Sequence, residues 1–156
     1  MKHGCLKQGW MIPLAMASLV AVAGCKPKEA ANAEQISEAQ TEGQQNVAEA
    51  SAQAQQDIAA AKQAETQATL DAASNPDAAD AALTNMQARG ETLKQEAEGR
   101  YKVESAQIDA AFNTEKQRCN GLPSGDRSAC IDAAKAEQER KLSEAKTRRD
   151  STPGAG

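Results

Sequence analysis

Three cysteines carry most of the chemistry this sequence could do: Cys25, Cys119 and Cys130. Cys119 and Cys130 are separated by ten residues, "NGLPSGDRSA", which is not the Cys-x-x-Cys spacing of thiol oxidoreductases. Zinc is the competing use for a cysteine pair, but the chain has one histidine, His3, and it lies in the extreme N-terminal segment. Two thiolates alone do not fill a four-ligand structural site, so a Cys119–Cys130 disulfide is the better reading. Without a later histidine, neither a Ser-His nor a Cys-His pair can be assembled. Carboxylates are plentiful, but solvated carboxylates with no apolar core around them make poor general acids or bases. The glycines form no phosphate-binding loop, and no metal or cofactor is implied. The sequence therefore reads as non-enzymatic.

Cys25 belongs to a different context. Lys2 and Lys7 precede fifteen uncharged, mostly apolar residues, Trp10–Gly24, and the chain then turns abruptly to charge, alanine and glutamine. That run is shorter than the roughly 20 residues needed to span a bilayer, and it has the parts of a secretion signal. Its last residues, Val22-Ala23-Gly24-Cys25, resemble the lipobox of bacterial lipoproteins. The resemblance implies a diacylglyceryl group on the Cys25 thiol, cleavage after Gly24, and a membrane anchor made firm by several acyl chains. Ordinary signal cleavage near "AVA" and an uncleaved anchor are the alternatives. Lys26 after the cysteine, where enteric lipoproteins retained in the inner membrane carry aspartate, points to the outer membrane, facing the periplasm. Cys5 would leave with residues 1–24, and in that oxidising compartment an even pair of cysteines reads as a disulfide.

The elements that would position these cysteines must be helical. From Ile36 to Leu142 there are fourteen large apolar side chains, with Tyr101 and Phe112 the aromatics. A packed domain of this length needs far more apolar surface to offset the ordering of its chain. Alanine, glutamine, glutamate and lysine, all good or fair helix formers, replace it. The expected class is all-α: extended helices, a C-terminal disulfide-closed antiparallel helical hairpin, and partial disorder. Charge is uneven, with ten acidic residues and one basic residue, Lys62, in 29–88, against twelve acidic and thirteen basic in 89–156. No basic patch with interleaved aromatics suggests nucleic acid.

Residues 36–46, "ISEAQTEGQQN", align with 47–57, "VAEASAQAQQD", and a degraded third copy follows at 58–68, "IAAAKQAETQA". Eleven residues in three turns give 3.67 per turn, which favours straight or right-handed packing. The apolar seam is narrow, enough for weak pairing with a like helix. Residues 25–75 read either as a semi-rigid lipid-anchored spacer or as a low-complexity tract that is helical in part. Their repeats also look like those of desiccation-protective late-embryogenesis-abundant proteins, which supplies an alternative function: a flexible stress-protective helical protein without a defined partner.

At "SNPD" (74–77) the pattern breaks, and Asn75 is the expected cap of a new helix, with Pro76, Asp77 and Asp80 in its first turns. Leu83, Met86, Gly90, Leu93 and Ala97 then step by threes and fours, and Tyr101, Ile108, Phe112 and Cys119 continue near the same face. Such a stripe predicts a partner helix, or, for 77–100, a solvated helix with a thin apolar edge. The turn signals after Cys119 predict a second helix, capped by Ser124 or Asp126 and running to about Arg149. Residues 76–150 thus form the hairpin module and 151–156 a flexible tail. Residues 101–141 look like an Ala/Lys-rich segment of small two-cysteine secreted proteins of Betaproteobacteria, which implies compartment and fold. The overall plan resembles the small Ala-rich murein lipoproteins that tie the outer membrane to the cell wall. Those end in a lysine joined to peptidoglycan, whereas this chain ends "TPGAG". The implied partners are the membrane through Cys25, peptidoglycan or an envelope protein, and a weak homo-oligomer through the helices.

Overall fold

The computed structural model describes residues 28–74 and 77–152. Among them there are three helices and no strand: α1 (Lys28–Ser74), α2 (Ala78–Asn120) and α3 (Ser124–Asp150). At 1.5 Å per residue they are about 70, 65 and 40 Å long. Residues 1–27, on which the expected signal and Cys25 fall, lie outside the described residues, as do Asn75, Pro76 and residues 153–156.

Each helix turns back along its predecessor, so the order is an antiparallel up-down-up. α3 packs on α2 and not on α1. The residues α2 turns toward α1 (Ala81, Ala88, Thr92, Gly99) lie nearly half a turn of the helix from those it turns toward α3 (Ala97, Tyr101, Ile108, Cys119). The result is a layer one helix thick with α2 in the middle and two narrow seams in place of one core. The buried apolar residues are accordingly small, Ala54, Ala81, Ala97, Cys119 and Ala145, with Ile108 the large exception.

The repeat of eleven becomes a packing geometry. Along α1 the positions turned inward are the first, fourth and eighth of each repeat: Ile36, Ala39 and Gly43, then Val47, Ala50 and Ala54, then Ile58, Ala61 and Glu65. The facing positions of α2 keep the same interval, as in Ala81, Thr92, Val103 and Thr114. Gly121 stands against Asn32, Ala110 against Gly43, and Gly99 against Ala54, one constant antiparallel register with eleven residues between layers. In that register Thr92 is 5 % exposed, and its hydroxyl donates to the Ala61 carbonyl across the seam at 3.4 Å and to the Ala88 carbonyl of its own helix at 3.2 Å. A Cβ built on Gly43 would stand 2.6 Å from the Ala110 Cβ, so the backbones meet there as closely as a glycine allows. α1 and α2, which read in sequence as parts of separate units, lie side by side along this seam.

Two caps differ from expectation. Asp77 caps α2, its carboxylate accepting from the Ala79 and Asp80 amides at 3.1 and 3.5 Å. α3 has Pro123 at its N-cap with no side-chain hydrogen bond, so neither Ser124 nor Asp126 acts as the cap. Ser124 is already inside the helix, because the fixed φ of Pro123 lets its carbonyl take the amides of Asp126 and Arg127 at 3.0 and 3.2 Å.

Candidate functional site

The cysteine pair is joined. Cys119 lies in the last turn of α2 and Cys130 in the second turn of α3, with their α-carbons 5.6 Å apart and a disulfide between them. Asn120–Pro123 make the bend: the amides of Gly121 and Leu122 bond the carbonyls of Arg118 and Cys119 at 3.1 and 3.0 Å. Cys119 is wholly buried and Cys130 half-buried, so the bond closes the inner side of the hairpin. Its sulfurs carry no thiolate, which removes nucleophilic and redox-relay chemistry from the pair as it stands.

From the disulfide, α3 runs back along α2 toward Ala97. Ile108 and Phe112 face Ala134 and Gln138, and the Gln138 amide donates to Asp109 at 2.7 Å. The far end is held by charge. Arg148 pairs with Glu104, the Arg149 guanidinium sits 4.7 Å over the Tyr101 ring, and Ala145 is buried beneath them. This clamp was not legible in the sequence, because the residues that form it lie more than forty positions apart on different helices. The one available signal was the basic last turn of α3, Arg148 and Arg149, favourable at a helix C-terminus.

Carboxylates behave as structural charges. Glu137 accepts hydrogen bonds from two guanidinium nitrogens of Arg140, Nη2 and Nε, at 2.7 and 3.0 Å, and lies 3.3 Å from Lys141. The Arg140 fork, and then Lys141, holds its carboxyl down at about 2. That shift is opposite to the one a general acid requires. Across the other seam Lys102 and Lys62 pair with Asp57 and Glu96 at 2.8 and 3.0 Å. Among the described residues no three of His, Cys, Asp and Glu gather as metal ligands, and no helix is long and apolar enough to cross a membrane.

Two surfaces complete the description. At the hairpin end Asn32, Ile36, Leu122 and Arg127 border an open cleft in which the Asn32 Oδ1 is buried without a hydrogen-bond partner. The disulfide hairpin therefore lies beside the start of α1, close in sequence to Cys25, and the α1–α2 turn is the remote end. There α2 outruns α3. The stripe from Leu83 to Cys119 is covered only from Ala97 onward, and Leu83, Met86 and Leu93 are 57, 72 and 39 % exposed. Compared with known proteins, the chain matches no family model, no curated protein and no solved structure.

Proposed function

We propose that the chain is a non-enzymatic lipoprotein of the bacterial cell envelope, anchored through an acylated Cys25 in the outer membrane and acting in the periplasm as a stiff spacer or tether. The observation that carries this reading is the place and length of α1. It begins at Lys28, three residues past Cys25, and continues for 47 residues, about 70 Å, braced by α2 along its length. A helix of that length alone would bend and fray, and the second helix supplies the stiffness. The composition supports a structural role: seams of alanine and glycine fix a close, constant distance between helices.

With an anchor at Cys25, the disulfide hairpin lies near the membrane and the α1–α2 turn stands farthest from it. Peptidoglycan, met non-covalently, or another envelope protein would be reached by the outer part of the rod. The test has two parts. Cells fed labelled palmitate should incorporate it into the natural chain and not into Cys25→Ser. The soluble chain from residue 25 with Cys25→Ser should co-sediment with purified peptidoglycan sacculi, and repeating this after reduction asks whether α3 is needed. No label overturns the anchor; no sedimentation overturns the tether and leaves the spacer.

A further inference from the structure

We propose that the Cys119–Cys130 disulfide is a redox latch: thiol exchange at Cys130 lets α3 swing off α2 about the Asn120–Pro123 bend while α1 and α2 stay paired. The layout of the helices carries the first part of the argument. α3 packs on α2 and not on α1, so its departure leaves the α1–α2 seam whole. The stripe it turns toward α2 steps through Cys130, Ala134, Gln138, Leu142 and Ala145, and Ala145 is the fully buried member. Gln138 with Asp109 and Arg148 with Glu104 are exposed contacts, which hold little in water. The pairs of Arg140 with Glu137 and Glu144 lie along α3 itself and travel with it. Beside the covalent bond, therefore, α3 has a thin hold.

The two sulfurs are unequal. Cys119 is 0 % exposed, whereas Cys130 is half-buried on the side open to solvent. Exchange requires a thiolate to reach the sulfur it attacks, so access directs it to Cys130. A thiolate of an external dithiol forms a bond to the Cys130 Sγ, the bond between the two cysteines breaks, and its electron pair leaves on the Cys119 Sγ, which takes up a proton. The second thiol of the reductant, as its thiolate, then attacks its partner sulfur in the mixed disulfide and releases Cys130. Two electrons and two protons have passed to the cysteine pair, and the dithiol has become a disulfide. A disulfide oxidant runs the same steps backward through Cys130 and closes the latch. Opening uncovers Tyr101, Ile108 and Phe112, which include both aromatics of the described residues and which α3 otherwise covers. The device uses α2 and α3 alone and stands whether or not Cys25 is acylated.

The test uses the full chain extracted from cells in its oxidised form. Brief exposure to glutathione, acid quenching and peptide mapping locate the mixed disulfide, since cleavage after Arg127 separates the two cysteines. The adduct is expected on Cys130 in at least about tenfold excess over Cys119. Dithiothreitol should then speed trypsin cleavage after Lys135, Arg140 and Lys141 by at least about tenfold, because a released helix frays and cleavage follows the open population. Cleavage after Lys62 and Lys102 should keep its rate, and oxidised glutathione should restore the slow cleavage of α3. An adduct mainly on Cys119, α3 cleaved no faster after reduction, equal acceleration in all three helices, or failure to reclose would each overturn the latch.

Discussion

Gly43 and Gly90 are both glycines deep inside long helices, yet their surroundings are opposite, and substitution tests the difference directly. At Gly43 an added methyl would stand 2.6 Å from Ala110, and the seam has to open. At Gly90 it enters open space. Overpacking costs typically 1–3 kcal/mol, while replacing a helical glycine by alanine gains up to about 1. In dilute solution Gly90→Ala should therefore raise the unfolding midpoint, and Gly43→Ala should be less stable than Gly90→Ala by about 1–3 kcal/mol in chemical denaturation. A second residue-scale test concerns Glu137. Its ordinary value is 4.5, and the Arg140 fork holds it at about 2. A carboxylate depressed in the folded state stabilises that state fully above its unfolded value, and the contribution is lost as pH falls from about 4.5 through 2. The side-chain carbon resonance of Glu137 should accordingly titrate near pH 2, moving up toward 4.5 in Arg140→Gln. A midpoint already near 4.5 in the natural chain would show that the fork does not hold in solution.

The two seams of α2 differ in what holds them. The α1 seam has about twelve turns of close contact between small residues and needs no covalent help. α3 is shorter, buries Ala145 fully, and carries its other ion pairs on its own surface, where each is worth a few tenths of a kcal/mol. The disulfide is then the main restraint on α3, worth about 3 kcal/mol for a loop of this size. Replacing Cys119 and Cys130 by serine should raise amide exchange through 124–150 by at least tenfold and leave the centre of the α1–α2 seam, around Ala54 and Gly99, nearly unchanged. Equal acceleration in both regions would mean that the three helices fold as one unit. The hairpin, the cysteine bond and the repeat of eleven in α1 were legible because each is local in sequence: turn residues between two cysteines, and aliphatics spaced by three turns. That the same interval runs through α2 was harder to see, since its copies carry Ala81, Thr92, Val103 and Thr114, which share size and not chemistry. The caps were misread for a related reason. Asn75, Asp77, Ser124 and Asp126 are all good capping types, and only the path of the backbone decides between neighbours two residues apart.

At the scale of the whole molecule, sequence could give long helices but not their arrangement. A narrow seam predicts that a helix pairs, and both a neighbouring segment and another chain satisfy that prediction. The structure chooses the neighbour: α2 returns along α1 because Gly43, Ala54, Gly99 and Ala110 come into register there, and the spacer expected ahead of the hairpin module becomes half of a rod that includes it. The shape follows from arithmetic on the helices. A layer one helix thick and about 70 Å long has a radius of gyration of about 20 Å, whereas a compact domain of the same number of residues has about 14 Å. Small-angle scattering of the soluble Cys25→Ser chain from residue 25, extrapolated to low concentration so that pairing does not contribute, should give about 20 Å and a maximum dimension of 70–80 Å. A value near 14 Å would mean that the long helices break and collapse on one another. A value well above 25 Å, with helicity low in buffer and rising on drying, would mean that the seams do not hold, and would favour a loose stress-protective chain over a post standing in the envelope.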